Sequence, residues 1–188
     1  MQPIEQDLQF IESACQNLDD YLLSDHFYWP VDHETNRDGV SFSRATIGLI
    51  RLVTEQLRAI RLSEEQTARL KEVNKIIENN QLKWKVAWGK KVTAEFNSRL
   101  NLWQKFIQEC ISDKKVLLSG FRSSLINRTI LQLLLLDLPK DEAGLVLALH
   151  EADQWLRETL PEGSFIWDDD FQHSFPPGKF WFLYRKLD

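Results

Sequence analysis

Apolar positions are densest at residues 116–138, V-L-L-S-G-F-R-S-S-L-I-N-R-T-I-L-Q-L-L-L-L-D-L, whose second half is apolar almost all round. Its densest part, residues 129–138, is only ten residues long. A membrane-spanning helix needs roughly 20 such residues, so the pattern predicts a helix buried in a soluble core. A helix that is apolar on every side needs neighbours on several sides. The other helical segments supply them, each with one apolar stripe.

Ile4, Leu8, Ile11, Cys15, Leu18 and Leu22 recur in alternating steps of four and three. That heptad seam predicts one helix from Pro3 to near Asp25. Residues 24–43 then read as a long loop, with turn residues at Pro30, Asn36 and Asp38-Gly39. Phe27, Tyr28 and Trp29 are too apolar for a free loop and are expected to pack back on the bundle. Ser41 or Ser43 is expected to cap a second helix with Ile47, Ile50, Val53, Leu57 and Ile60 inward.

Ser63 and Gln66 spell a capping box, and helical pattern runs on from there to Ile111. It predicts one long helix, continuous or broken near Asn79-Asn80 or at Gly89. Leu82, Trp84, Val86 and Trp88 alternate as in a strand. Trp84, Trp88, Val92, Phe96, Leu100, Trp103, Ile107 and Cys110 or Ile111 nevertheless continue at helical spacing, which decides for helix. Ser112-Asp113 turns the chain into the central helix, and Pro139 ends that helix. Asp141 is expected to cap a last helix with Leu145, Leu149, Ala152, Leu156 and Leu160 inside, stopped by Pro161 and Gly163.

Residues 164–188 differ in kind, with Phe165, Trp167, Phe171, Phe175, Phe180, Trp181, Phe182 and Tyr184 in one short tail. Pro176-Pro177-Gly178-Lys179 fits a type II turn, so the flanks are expected to pair as a small β-hairpin or to wrap the bundle. The fold expected is all-α, one domain over 1–188. It is a bundle of about five helices in 1–163 with one long helix, and an aromatic C-terminal extension, 164–188, packs on it.

Charge changes the picture locally. The chain carries −5 overall, distributed as −6 over residues 1–82, +7 over 83–128 and −6 from residue 130 on. A basic middle between acidic ends is either an anion-binding surface or one satisfied internally, and overall acidity favours the second. The two cysteines, Cys15 and Cys110, fall on apolar stripes and read as small buried hydrophobes. The start, M-Q-P-I-E-Q-D-L-Q-F, lacks a basic region followed by an apolar run, so the chain is expected in the cytoplasm without a membrane partner.

Several chemistries lack their residues. The seven glycines are never spaced for a dinucleotide or phosphate loop, and there is no C-x-x-C, Glu-x-x-His, His-Glu-x-x-His or Gly-x-Ser-x-Gly. No cofactor is implied. His26, His33 and Glu34 in the first loop, with Asp170 and His173 in the tail, form a metal or acid–base site only if the two stretches meet. His150, Glu151, Asp153 and Arg157 read as a plain polar face of the last helix.

Trp84 and Trp88 among Lys83, Lys85, Lys90 and Lys91 resemble a platform for single-stranded nucleic acid, to which Arg44, Arg51 and Arg58, seven apart, would add. Glu55 between the last two arginines makes surface ion pairing the plainer reading of that stripe. The aromatic tail has the composition of a protein-binding surface, with Trp167, Phe180, Trp181 and Tyr184 as anchors. Ranked on these features, the expected function is a non-catalytic protein-interaction or adaptor module with a protein partner. A nucleic-acid-binding accessory protein comes second and a metal-dependent enzyme third, with the oligomeric state unspecified.

Overall fold

The computed structural model describes residues 4–37 and 40–187. The expected helix start at Pro3 and the turn at Asp38-Gly39 lie outside the described residues. The chain is mostly helical, and no helix among the described residues is long and apolar enough to cross a membrane. Contacts divide it into two compact units, Met1–Glu95 and Phe96–Asp188.

In the first unit, α1 (Ile4–Gln16) and α2 (Leu18–Leu23) replace the single helix expected. The break is Asn17, whose backbone leaves the helical region at φ −122°, ψ 34°, as suits a residue whose side chain competes for backbone hydrogen bonds. The seam survives the break: Leu8, Ile11, Cys15, Leu18 and Leu22 are all buried.

The expected loop is instead an antiparallel hairpin, β1 (Trp29–Arg37) and β2 (Val40–Ala45), with an irregular register between Pro30 and Thr35. It lies against α1. Thr35, wholly buried, donates from Oγ1 to Asp7 Oδ1 at 2.6 Å, and the Asp32 N–H donates to Ser13 Oγ at 2.9 Å. Ser41 and Ser43 therefore sit in a strand.

The helix they were expected to cap, α3 (Ile47–Ala59), starts instead at Thr46, whose Oγ1 accepts the Leu49 N–H. Thr46 also donates to Glu95 Oε1 at 2.5 Å, and the Gly48 N–H donates to Oε2 at 2.8 Å. A buried carboxylate thus satisfies the donors at the positive end of α3. The capping box at Ser63 and Gln66 forms as read and opens α4 (Glu64–Lys83). Arg69 of α4 clamps α1 by reaching both Glu12 (2.6 Å) and Glu5 (2.9 Å).

The long helical stretch breaks at Trp84 (φ −115°, ψ 37°), between the two positions expected. From there α5 (Lys85–Ser112) passes through the boundary between the units. Trp88, Val92, Phe96, Leu100, Trp103, Ile107 and Cys110 are buried along it, whereas Ile111 is exposed.

In the second unit α6 (Lys114–Leu134) is capped by Asp113 and buries Leu125, Ile126 and Arg128 through Leu131, with Leu133 and Leu134. It ends one turn earlier than the apolar run, leaving Leu136 exposed. Asp141 does not cap the last helix. It lies in a short 3-10 turn, and α7 (Ala143–Thr159) begins without a side-chain cap.

Asp153, expected on a polar face, is 1% exposed. Its Oδ1 accepts the Trp103 indole N–H at 3.0 Å and Arg128 Nε at 2.9 Å, and its Oδ2 accepts the second Arg128 arm at 2.7 Å. Four elements meet there, since the Phe182 ring of the tail lies 4.3 Å from the guanidinium.

The tail is not a hairpin about its proline turn. Lys179 N–H does close on the Pro176 carbonyl at 3.1 Å, but Gly178 lies outside the left-handed region that a type II turn needs. Residues 169–174 and 181–184 form 3-10 turns instead. The loop is clipped at its base by an isolated antiparallel bridge between Glu162 and Arg185. Gly163 permits the crossing, because a Cβ there would stand 2.8 Å from that of Lys186.

Both cysteines are unpaired and buried. Burial, with Glu12 adding, pushes the Cys15 thiol up to about 12, and burial, with Glu109 adding, pushes Cys110 up to about 11. Neither is expected to react with a thiol reagent at pH 8 until denaturant is added, when both label. The unfolded thiols ionise first, so the stability held by these neutral groups is present below about pH 9 and falls as pH rises towards 11 to 12. Labelling of either thiol in the native protein would contradict this burial.

Candidate functional site

The break at Trp84 sets a cavity of about 680 Å³ between the end of α2 and the start of α5. Leu22, Leu23, Val86 and Ala87 give it an apolar lining, and Lys83, Lys85, Lys90 and Lys91 surround that lining. Asp25 is the single acid in it. Around the same junction stand three large aliphatic side chains that nothing covers: Leu82 is 80% exposed, Val86 75% and Leu23 58%.

The alternation of Leu82, Trp84, Val86 and Trp88 was the sequence signal for this patch. On one continuous helix, positions 84 and 88 would share one face and 82 and 86 another; the break at Trp84 puts Leu82 on α4 and Val86 on α5. One buried stripe cannot take both pairs. Trp88 is buried and Trp84 half-buried, so Leu82 and Val86 are left outside.

The lysines divide into two kinds. Lys83 pairs with Asp19 at 2.6 Å and lies over the Trp84 ring at 4.9 Å. The Lys83 hydrogen bond is the largest of the effects that hold the Asp19 carboxyl below its usual range. Lys91 donates to the Ser24 carbonyl at 2.8 Å and lies 4.4 Å over the Tyr21 ring, and burial lowers its pKa. Lys85 and Lys90 stand exposed and carry no ion pair among the described residues.

The arginine stripe is engaged as well. Arg58 bonds Glu55 at 2.5 Å and Asn74 at 2.6 Å, and Arg51 reaches Gln81 at 3.3 Å and lies 5.5 Å from the Trp88 ring centre. Arg44 is exposed on β2. The residues expected to form one continuous phosphate-binding surface are therefore largely committed to neighbours within the first unit.

The expected aromatic anchors are not an exposed patch. Phe180 and Trp181 are buried, and Trp167 and Tyr184 are half-buried. Phe175 meets Trp167 and Phe180 edge-on at 5.4 and 5.0 Å, and the Tyr184 hydroxyl donates to the Phe175 carbonyl at 2.9 Å. Trp181 faces the guanidiniums of Arg157 at 3.7 Å and Arg185 at 5.1 Å. These rings are consumed in closing the core of the second unit, where large apolar area is most stabilising.

The metal candidates are all exposed: His26, His33 and Glu34 in the first unit, Asp170 and His173 in the second. Glu34 accepts a hydrogen bond from Ser41 at 2.7 Å. Among the described residues, no three His, Cys, Asp or Glu side chains come together as a metal would require.

A shallower cavity of about 400 Å³ lies in the second unit, lined by Leu135, Leu138, Val146 and Leu147 with Lys140 and His150. It is apolar and has fewer charges to orient a ligand. Compared with protein-family models, with curated proteins and with solved structures, the chain matches none.

Proposed function

We propose that this protein is a non-catalytic interaction module that receives a partner protein at the α2–α4–α5 junction. The observation that carries the reading is the exposure of Leu23 and Val86 in a cavity lined by four lysines, with exposed Leu82 next to it in the chain. An apolar centre with a charged rim is how protein interfaces are built. The seat moves from the aromatic tail, where Phe180 and Trp181 are buried and Trp167 and Tyr184 half-buried, to the helix break. The two unpaired thiols suit a reducing compartment, the cytoplasm.

Nucleic acid is the weaker reading. Lys83 and Lys91 are held by the protein itself, and aliphatic side chains have no use against a phosphodiester backbone.

The test is quantitative capture from cell extract with wild-type protein and with the Leu82→Asp and Val86→Asp variants, each with and without nuclease. Both positions are exposed, so the variants are expected to melt with the wild type. Proteins that bind the wild type through this junction are expected to fall about tenfold or more in the variants and to survive nuclease. A set of captured proteins that neither substitution changes would remove the reading.

A further inference from the structure

We propose that the segment seated at this junction is acidic, with Asp or Glu flanking a bulky apolar residue; this rests on the protein-interaction reading above. Four lysines and one acid, Asp25, line the cavity; with Lys83 paired to Asp19, the positive excess is carried mainly by Lys85 and Lys90. The helix ends offset one another there, since α2 and α4 end at the cavity where α5 begins, so the sign is set by the side chains. Lys85 and Lys90 supply exposed ammonium groups at the mouth, and the aliphatic lining takes the anchor.

The same features discriminate against two other anions. Single-stranded nucleic acid needs open aromatic faces on which bases stack. One face of Trp84 is already covered by Lys83, and Trp88 is 3% exposed. A lipid surface calls for a continuous apolar edge along an amphipathic helix, whereas here Leu82 and Val86 stand on either side of a helix break with lysines between and beside them. A hollow of about 680 Å³ fits side chains of one docked segment.

The probe is a random dodecapeptide display library, selected on the full-length protein, on the Lys85→Gln/Lys90→Gln variant and on Val86→Asp. Peptides enriched on the wild type are expected to carry an excess of Asp and Glu around Leu, Phe or Trp. A synthetic copy of the most enriched peptide is expected to bind roughly two- to fivefold more weakly for each lysine removed, and more weakly again at high salt. Val86→Asp is expected to abolish the enrichment.

Peptides that depend on Val86 but show no acidic excess would overturn this inference and leave the interaction reading standing. Failure to enrich any peptide would overturn the inference. So would tighter binding of phosphatidylserine vesicles or of a single-stranded oligonucleotide than of the best peptide.

Discussion

Arg128→Ala is expected to cost about 3–5 kcal/mol of folding free energy, read as a fall in the denaturant midpoint. Arg128 and Asp153 are 2% and 1% exposed at the side chain, so solvent does not screen them. Removing the guanidinium leaves a buried carboxylate with the Trp103 N–H as its remaining strong donor among those described. The pair itself is not the source of the loss, because taking two charges out of water costs nearly what their attraction returns. Arg128→Met combined with Asp153→Leu is therefore expected to recover most of the stability that either single change removes. A single variant within experimental error of wild type would show that the network is not closed as described.

The second large effect belongs to the tail. Phe182→Ala is expected to destabilise by about 3–5 kcal/mol, since it removes a wholly buried ring and leaves a hole. The ring lies 4.3 Å from the Arg128 guanidinium and 5.8 Å from Trp181, edge-on. Its loss therefore loosens the network and the aromatic cluster together. A docking arm would respond in the opposite sense, with stability intact and binding lost. A thermal melt of Phe182→Ala and Phe180→Ala against wild type separates the two.

How much of this was legible depends on the physics of each segment. Periodicity located the seam of α1 and α2, the stripe of α5 and the buried half of α6, because burial on one face repeats at helical spacing. The hairpin was hidden by its composition. Pro30, Asp32, His33 and Glu34 interrupt the apolar alternation a strand normally shows, and the inner face is declared by the buried Thr35, bonded to Asp7, with the buried Ala45 on β2.

The burial of Asp153 is hidden for a related reason. A carboxylate among His150, Glu151 and Arg157 looks solvated in sequence, and its partner lies 25 residues away on another helix. The tail's aromatic composition is plain in sequence, whereas the burial of Phe180 and Trp181 is not. Large aromatics serve a core and an interface equally well, and composition alone carries no sign of which. At the helix break the signal was present as two competing periods, and the pair that lost the core, Leu82 and Val86, is the pair now assigned to the partner.

The central claim is that the partner seats at the helix break and not on the tail. A photoreactive phenylalanine placed at position 86 in the full-length chain, and separately at position 167, compares the two faces directly in cells. The expected result is a crosslinked partner protein from position 86, lost when Leu82→Asp is added, and none from position 167. Crosslinking from position 167 with none from position 86 would contradict the claim and return the aromatic tail to first place.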